Sequence, residues 1–340
     1  MVAIIIPTKD RSQFIDRLLA FYSSQNCKNK IYIADSSKSE IHLIKIQESI
    51  DLFSSSLDIT YGHFPSANIE EAKLLILREV SEKYSAYCGD DDFLVLETVN
   101  KCADFLDENT DYSNCHGRGL IFTTGGDPLK GPITSVSEYQ LHANESDDAM
   151  TRLQEYLINY WPIWTVRRTD EFRETLTHLR AIPSESFREL TMGCLPMIKG
   201  KTKLLDDFYV VRQFHNNRFK NPHPLKAILG QDWHTSFREM KSIVNNAINQ
   251  TKIKDVEGVN EKIEEFFLIY YIKILESNMA PSLNKTSLGF RAKLFTKRNF
   301  KFAYNLYLLF ISKELNIQKL KRPKEEYLNF KEINNFIDNY

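Results

Sequence analysis

Apolar positions in this chain fall into short β-branched or aromatic runs that alternate with stripes at helical spacing, and the changes of period mark out the element order. Val2-Ala3-Ile4-Ile5-Ile6, closed by Pro7, is continuously apolar, as a strand covered on both faces of a parallel sheet requires. After the polar Thr8-Lys9-Asp10-Arg11, the residues Phe14, Leu18, Leu19 and Tyr22 recur at helical spacing. Residues 30–34 predict a second strand that ends at Asp35-Ser36-Ser37, and after another helical stretch residues 57–63 predict a third. Residues 69–83 read as a helix, and 85–88 as the strand that feeds Asp90-Asp91-Asp92.

Strands that alternate with helices imply right-handed βαβ units, and in such sheets ligands gather at the C-terminal ends of the strands. Asp10, Asp35 and the aspartate row all fall at such ends, so residues 1–95 read as a nucleotide-binding half. Further on, residues 100–109 predict a helix. Residues 117–134 are rich in Gly, Pro and Thr, with a turn at Gly125-Gly126-Asp127-Pro128, and fit a loop over an active site or a β-hairpin. Helical spacing returns at 147–158 and 187–198, a short strand is expected at 163–166, and 203–209 leads into Val210-Val211-Arg212-Gln213-Phe214-His215. Beyond Pro222 long helical patterns dominate, at 228–248, 259–277, 300–315 and 325–338. Two domains are expected, 1–221 and a helical 222–340.

Composition narrows the function classes. Charged residues at 26%, hydrophobic residues at 42% and a formal net charge of -1 describe an ordinary globular chain with no overall attraction to nucleic acid. The five cysteines include no Cys-x-x-Cys pair, which points to a reducing compartment, and Met1 leads straight into a strand, so no secretory leader is expected. The apolar runs 266–274 and 304–311 are too short to span a bilayer. A cytoplasmic location follows. Residues 285–324 carry a strong excess of Lys and Arg interleaved with Phe, Tyr and Leu. Such a segment can rest on an anionic inner membrane surface, grip a lipid-linked acceptor, or pack as a solvated helical face on the core or in a homo-oligomer.

Three adjacent carboxylates repel one another, so a strand end that presents Asp90, Asp91 and Asp92 together fits a hard cation held against an anionic ligand. The opening 2–11, the second strand closed by Asp35-Ser36-Ser37 and the aspartate row are joined downstream by Arg188-Glu189, by a Lys199-Gly200 turn and by Val211-Arg212-Gln213-Phe214-His215-Asn216-Asn217. In this order they resemble the GT-A nucleotide-sugar transferases, in particular glycosyltransferase family 2, over residues 1–220. The resemblance implies an α/β GT-A fold, Rossmann-like with a mostly parallel sheet and flanking helices, plus the helical C-terminal region. It also implies a metal-dependent transfer of a sugar from a nucleotide-sugar donor to a hydroxyl of a glycan or lipid-linked saccharide.

By that resemblance Asp10 and Asp35, with Pro7, Thr8 and Arg11 on the same loop, lie on the nucleotide side. Asp90 would meet the ribose or a metal-bound water, with Asp91 beside it, and Asp92 would hold Mn²⁺ or Mg²⁺. His215 would be a further metal or diphosphate contact, and Arg212 a phosphate contact. Glu189 matches the catalytic base, with Asp232 as its rival. Each has a plainer reading. The aspartates could form a solvated acidic turn, Asp10 a helix cap, Glu189 a first-turn helix residue, Arg212 a salt-bridge partner, His215 a surface or core histidine, and Asp232 an N-cap. Tyr160, Trp161, Trp164 and Trp233 could stack on sugars or fill the core.

The chain departs from the family pattern in three places. It has a single Asp35 where the family more often has Asp-Asp-x-Ser, Arg188 stands in the acidic pair, and the Gln-x-x-Arg-Trp of processive members is absent, which implies single-residue transfer. Two alternatives stay open: a nucleotidyltransferase, although the usual Gly-rich phosphate loop is missing after the first strand, and a non-catalytic nucleotide- or glycan-binding scaffold.

Overall fold

The computed structural model describes residues 1–159, 164–215, 230–251, 258–283 and 328–340. The N-terminal half is built as the apolar runs require. Strand β1 (Val2–Thr8) is buried along its whole length and lies between β2 (Ile31–Asp35) and β4 (Tyr84–Tyr87), parallel to both; β3 (Ile59–His63) extends β2 in the same direction. Helices α1 (Ser12–Ser24), α2 (Glu40–Phe53) and α3 (Ile69–Leu77) supply the crossovers. Among the described residues the sheet has nine strands in the order β3-β2-β1-β4-β8-β6-β9-β5, with β7 paired to β6. The parallel run ends where β8 (Val166–Arg168) pairs antiparallel with β4. This is the α/β sheet with flanking helices expected from the sequence.

The second half departs from expectation in several places. Residues 117–134 are not a free loop: β6 (Tyr112–Thr124) runs for 13 residues, pairs with β8, β7 and β9 (Lys201–Gln213), and turns at 125–132 into β7 (Ile133–Tyr139). The hairpin is the correct reading. Helix α3 ends earlier, at Leu77, where Arg173 donates to the carbonyls of Leu77 and Val80. Helix α4 (Leu96–Glu108) starts four residues early, directly after the two-residue β5 (Phe93–Leu94). The strand expected at 163–166 is β8, which begins at Val166. Helices α5 (Ala149–Asn159) and α7 (Glu185–Lys199) were anticipated, whereas α6 (Thr169–Leu179) was not.

The C-terminal helices pack onto this body. In α8 (Trp233–Asn249) and α9 (Val259–Leu283), Trp233, Phe237 and Phe267 cluster on Phe187 of α7, so Trp233 serves packing. Helix α10 (Leu328–Asn339) buries Ile333 and Ile337, sets Phe336 edge-on to Phe21 at 5.4 Å, and is followed by Tyr340, whose hydroxyl donates to Asp16 of α1. No described helix is long and apolar enough to cross a membrane. The basic segment 285–324, the helix expected at 300–315, Tyr160 and Trp161 lie outside the described residues.

Candidate active site

The ends of β1 and β4, the aspartate turn, the end of β9 and the faces of α3 and α7 enclose a cleft of about 540 Å³. Pro7, Thr8, Arg11, Asp90, Asp91, Asp92, Glu189 and Arg212 all line it, so eight of the residues expected at the site converge. The turn that carries the aspartates is closed by the Asp92 N–H donating to the Gly89 carbonyl at 3.1 Å. A Cβ on Gly89 would come within 2.9 Å of Asp92 Oδ2 and 3.1 Å of Asp91 Oδ1, so the missing side chain lets two carboxylate oxygens lean over one point.

Each carboxylate has its own cation or donor. Asp90 accepts from the Thr8 hydroxyl at 2.7 Å and pairs with Arg11 at 2.8 Å. Asp91 pairs with the other arm of Arg11 at 2.8 Å and lies 2.9 Å from His215 Nε2. Asp92 accepts from Arg212 Nε and from the Gln213 N–H, both at 3.1 Å. Arg17, fully buried in α1, anchors this corner from beneath: it donates to Gln213 Oε1 at 2.7 Å, to the Pro128 carbonyl at 3.1 Å and to the Asp91 carbonyl at 3.4 Å.

These pairings do not neutralise the row. Burial pushes the Asp90 carboxyl up to about 7 against the pull of Arg11, and Asp92 up to about 6 against that of Arg212. Burial acts on Asp91 in the same sense, but the bonds from His215 and Arg11 outweigh it and hold this carboxyl below the ordinary range. For two of the three carboxylates the cost of burial thus exceeds the attraction of their partners.

Three expected residues are not on the cleft lining. Asp35 is fully buried and turned inward, accepting from the Tyr61 hydroxyl at 2.8 Å and the Ser37 N–H at 2.7 Å. Asp10 adopts φ +53°, donates its N–H to Ser37 Oγ at 2.7 Å, and accepts from the Lys38 and Ser39 N–H groups at the start of α2. It ties two strand-end loops together and bonds the amides that lead into α2, so it does not cap α1, the helix that follows it. His215 stacks on Phe14 at 5.1 Å and serves Asp91, not Asp92. Among the described residues no three His, Cys, Asp or Glu side chains form a ready-made metal cluster. Asp232 sits exposed at the N-cap of α8 and makes no side-chain cap bond.

Sequence reasoning missed Lys73, Tyr87, Arg17 and Gln213. Lys73 and Tyr87 line the cleft, and Tyr87 stacks face to face on Trp164 at 4.3 Å. A signal for Lys73 was present: it interrupts the apolar stripe Ile69, Ile76, Leu77 of α3, where a lysine is out of place unless it is used.

No protein-family model matches the chain, and no curated protein matches it. Solved structures do. The crystal structure of S. aureus TarS 1-349 superposes with a TM-score of 0.51 at 15% identity, covering 100% of this chain and 90% of that one. The same protein in complex with UDP matches at 0.51 and 14%, with 100% and 90% covered; in complex with UDP-GlcNAc it matches at 0.51 and 14%, with 86% and 78% covered. At this identity the likeness establishes the fold, and the GT-A arrangement expected from the sequence is the one the chain adopts.

Proposed function

We propose that the chain is a glycosyltransferase, assisted by a divalent cation, that moves one sugar at a time from a nucleotide-sugar donor to a hydroxyl of a glycan or lipid-linked saccharide. One observation carries this reading: the aspartate turn, Arg11 and Arg212 share a single cleft with Glu189 of α7. The structural neighbour TarS 1-349 in complex with UDP-GlcNAc supports it through the shared fold.

Mg²⁺ or Mn²⁺ suits the donor set. Both take carboxylate oxygens and keep several waters, so one or two protein ligands suffice, and Asp91 Oδ1 and Asp92 Oδ2 lean over the space above Gly89. Asp92 and Asp91 would hold the ion, with His215 fixing Asp91 from behind. Bound there, the ion supplies charge neutralisation to the departing diphosphate. Arg11 and Arg212 offer planar donors to phosphate oxygens, and Thr8 and Asp90 face the ribose. Glu189 accepts the proton of the acceptor hydroxyl as that oxygen bonds the anomeric carbon, while the nucleoside diphosphate leaves with the electrons of the broken C–O bond.

Residues 1–221 form the transferase unit in this reading. The helical remainder, with its basic segment 285–324, offers the contact to an anionic membrane surface or lipid-linked acceptor. All five cysteines are free and buried, in keeping with a reducing cytoplasm. The test is Glu189→Gln in a screen of nucleotide sugars with Mn²⁺. Loss of a general base lowers transfer by about 100-fold or more while donor affinity stays within about threefold; transfer at the wild-type rate removes Glu189 as the base.

A further inference from the structure

Lys73 is 2% exposed and lines the cleft, yet its ammonium has no carboxylate in ion-pair contact among the described residues. Its contacts are Met192 Sδ at 3.9 Å and the face of Tyr87, with the ring centroid 4.8 Å away. A thioether is a weak acceptor and a ring face offsets only part of the cost of burying a charge, so three donors and a positive charge are left underused. The charged groups that face Lys73 are Glu70 on its own helix, Glu189 and Arg188 on α7, and Arg167 on β8. Glu70 is taken by Arg188 at 3.2 Å. Burial outweighs the attraction of both glutamates and lowers the Lys73 pKa, so these carboxylates as placed do not satisfy it.

The surroundings say what would. Lys73 covers one face of Tyr87, Trp164 stacks on the other at 4.3 Å, and the Arg212 guanidinium lies over Trp164 at 4.7 Å. Two cations thus cap the ends of one aromatic stack inside one cleft, Arg212 beside the aspartates and Lys73 beside the Glu189 face of α7. With a donor's diphosphate at the Arg212 end, as proposed above, the Lys73 end of the same cleft is what remains for its saccharide. We propose that Lys73 receives a carboxylate or phosphate group carried by that saccharide, so that the cleft selects an acidic sugar. The proposal rests on the donor-cleft reading given above and deepens it.

Isothermal titration of wild type, Lys73→Met and Lys73→Gln with Mn²⁺ tests this. One arm compares UDP-glucuronic acid with UDP-glucose, a second compares glucose 6-phosphate with glucose at saturating UDP, and UDP alone is the reference. Wild type should hold the acidic member of one pair at least about tenfold more tightly. Both variants should lose that gap and keep UDP affinity within about threefold. A gap in the first arm places the anion on the donor, and one in the second places it on the acceptor. Equal affinities in both arms, or a gap that persists in both variants, overturns the proposal. Failure of wild type to bind UDP or any other nucleoside diphosphate with Mn²⁺ refutes the donor-cleft reading itself, and this inference with it; where another nucleoside diphosphate binds in place of UDP, both arms are run with that nucleotide.

Discussion

Arg17→Met separates what holds the fold from what aims the site. Arg17 is fully buried between the rings of Phe14 and Phe93, 5.2 and 5.1 Å from their centroids. Burial pushes its pKa from 12.5 down to about 10, so desolvation of the charged form exceeds the attraction of its neighbours by about 3 kcal/mol. Against this stand the bonds to Gln213 and Pro128, at 2.7 and 3.1 Å, each worth about 1.5–3 kcal/mol for a charged donor. Methionine keeps the packing between the two rings and removes the buried charge. The two effects largely cancel, and urea unfolding should show a loss of roughly 0–3 kcal/mol, well short of unfolding the protein.

The site should respond differently. Without Arg17 the Gln213 side chain, the Pro128 carbonyl and the Asp91 carbonyl lose a shared charged donor, so the Asp91 end of the aspartate turn is held less firmly, while Gln213 stays tied to Pro128, Thr124 and β6. Calorimetry with whichever nucleoside diphosphate the wild type binds in the presence of Mn²⁺ should show affinity lowered about tenfold, roughly 1.4 kcal/mol. Wild-type affinity in the variant would refute the positioning argument, and a stability loss above about 5 kcal/mol would refute the burial arithmetic.

Other consequences are open to measurement. Ile337 of α10 is 1% exposed, so Ile337→Ala should cost about 2–5 kcal/mol in urea unfolding; a loss below about 1 kcal/mol would mean that α10 does not dock on the core as described. With a chelator present, the native protein binds more protons than the unfolded chain between about pH 4 and 7, because Asp90 sits at about 7 and Asp92 at about 6. Stability should therefore fall as pH rises through that window and level off above it, while the low pKa of Asp91 acts below pH 4 and in the opposite sense. Denaturation midpoints that are flat or rise between pH 5 and 7 would contradict this.

What the sequence disclosed and what it hid differ for physical reasons. Strands β1, β2 and β4 are apolar runs buried by sheet neighbours on both sides, and a local pattern suffices to find them. Helix α6 was missed because Phe172, Leu176 and Leu179 sit among Asp170, Glu171, Arg173 and Glu174, so its narrow apolar stripe is diluted. Strand β5 is two residues long and exists only through its register with β9, a long-range fact with no local signature. Asp10, Asp35 and the aspartate row do lie at strand ends, as the alternation of strands and helices implies, and only the aspartate row lines the cleft. That alternation could not say which way a side chain turns, and Tyr61, Ser37 and the α2 amides turn Asp35 and Asp10 away from the cleft lining. Lys73 needed the tertiary structure, since only the placement of α7 shows that no carboxylate reaches it.

The charge balance of the cleft ties these residues into one argument. Asp90, Asp91 and Asp92 face Arg11, Arg212 and an imidazole, and burial still drives two of the three carboxyls upward. Three carboxylates share two guanidinium groups, with Arg11 divided between Asp90 and Asp91, so the row carries more negative charge than these two cations offset and its burial is costly. On the proposed reading a divalent cation held by Asp91 and Asp92 would offset that excess, releasing Arg212 toward phosphate oxygens while Arg11 stays on Asp90. Lys73 has the opposite excess, a buried positive charge whose nearby glutamates do not satisfy it. If both proposals hold, excess negative charge at the aspartate end and an underused ammonium at the Lys73 end together match a metal-bound diphosphate joined to an acidic sugar, and a neutral sugar leaves the Lys73 end uncompensated.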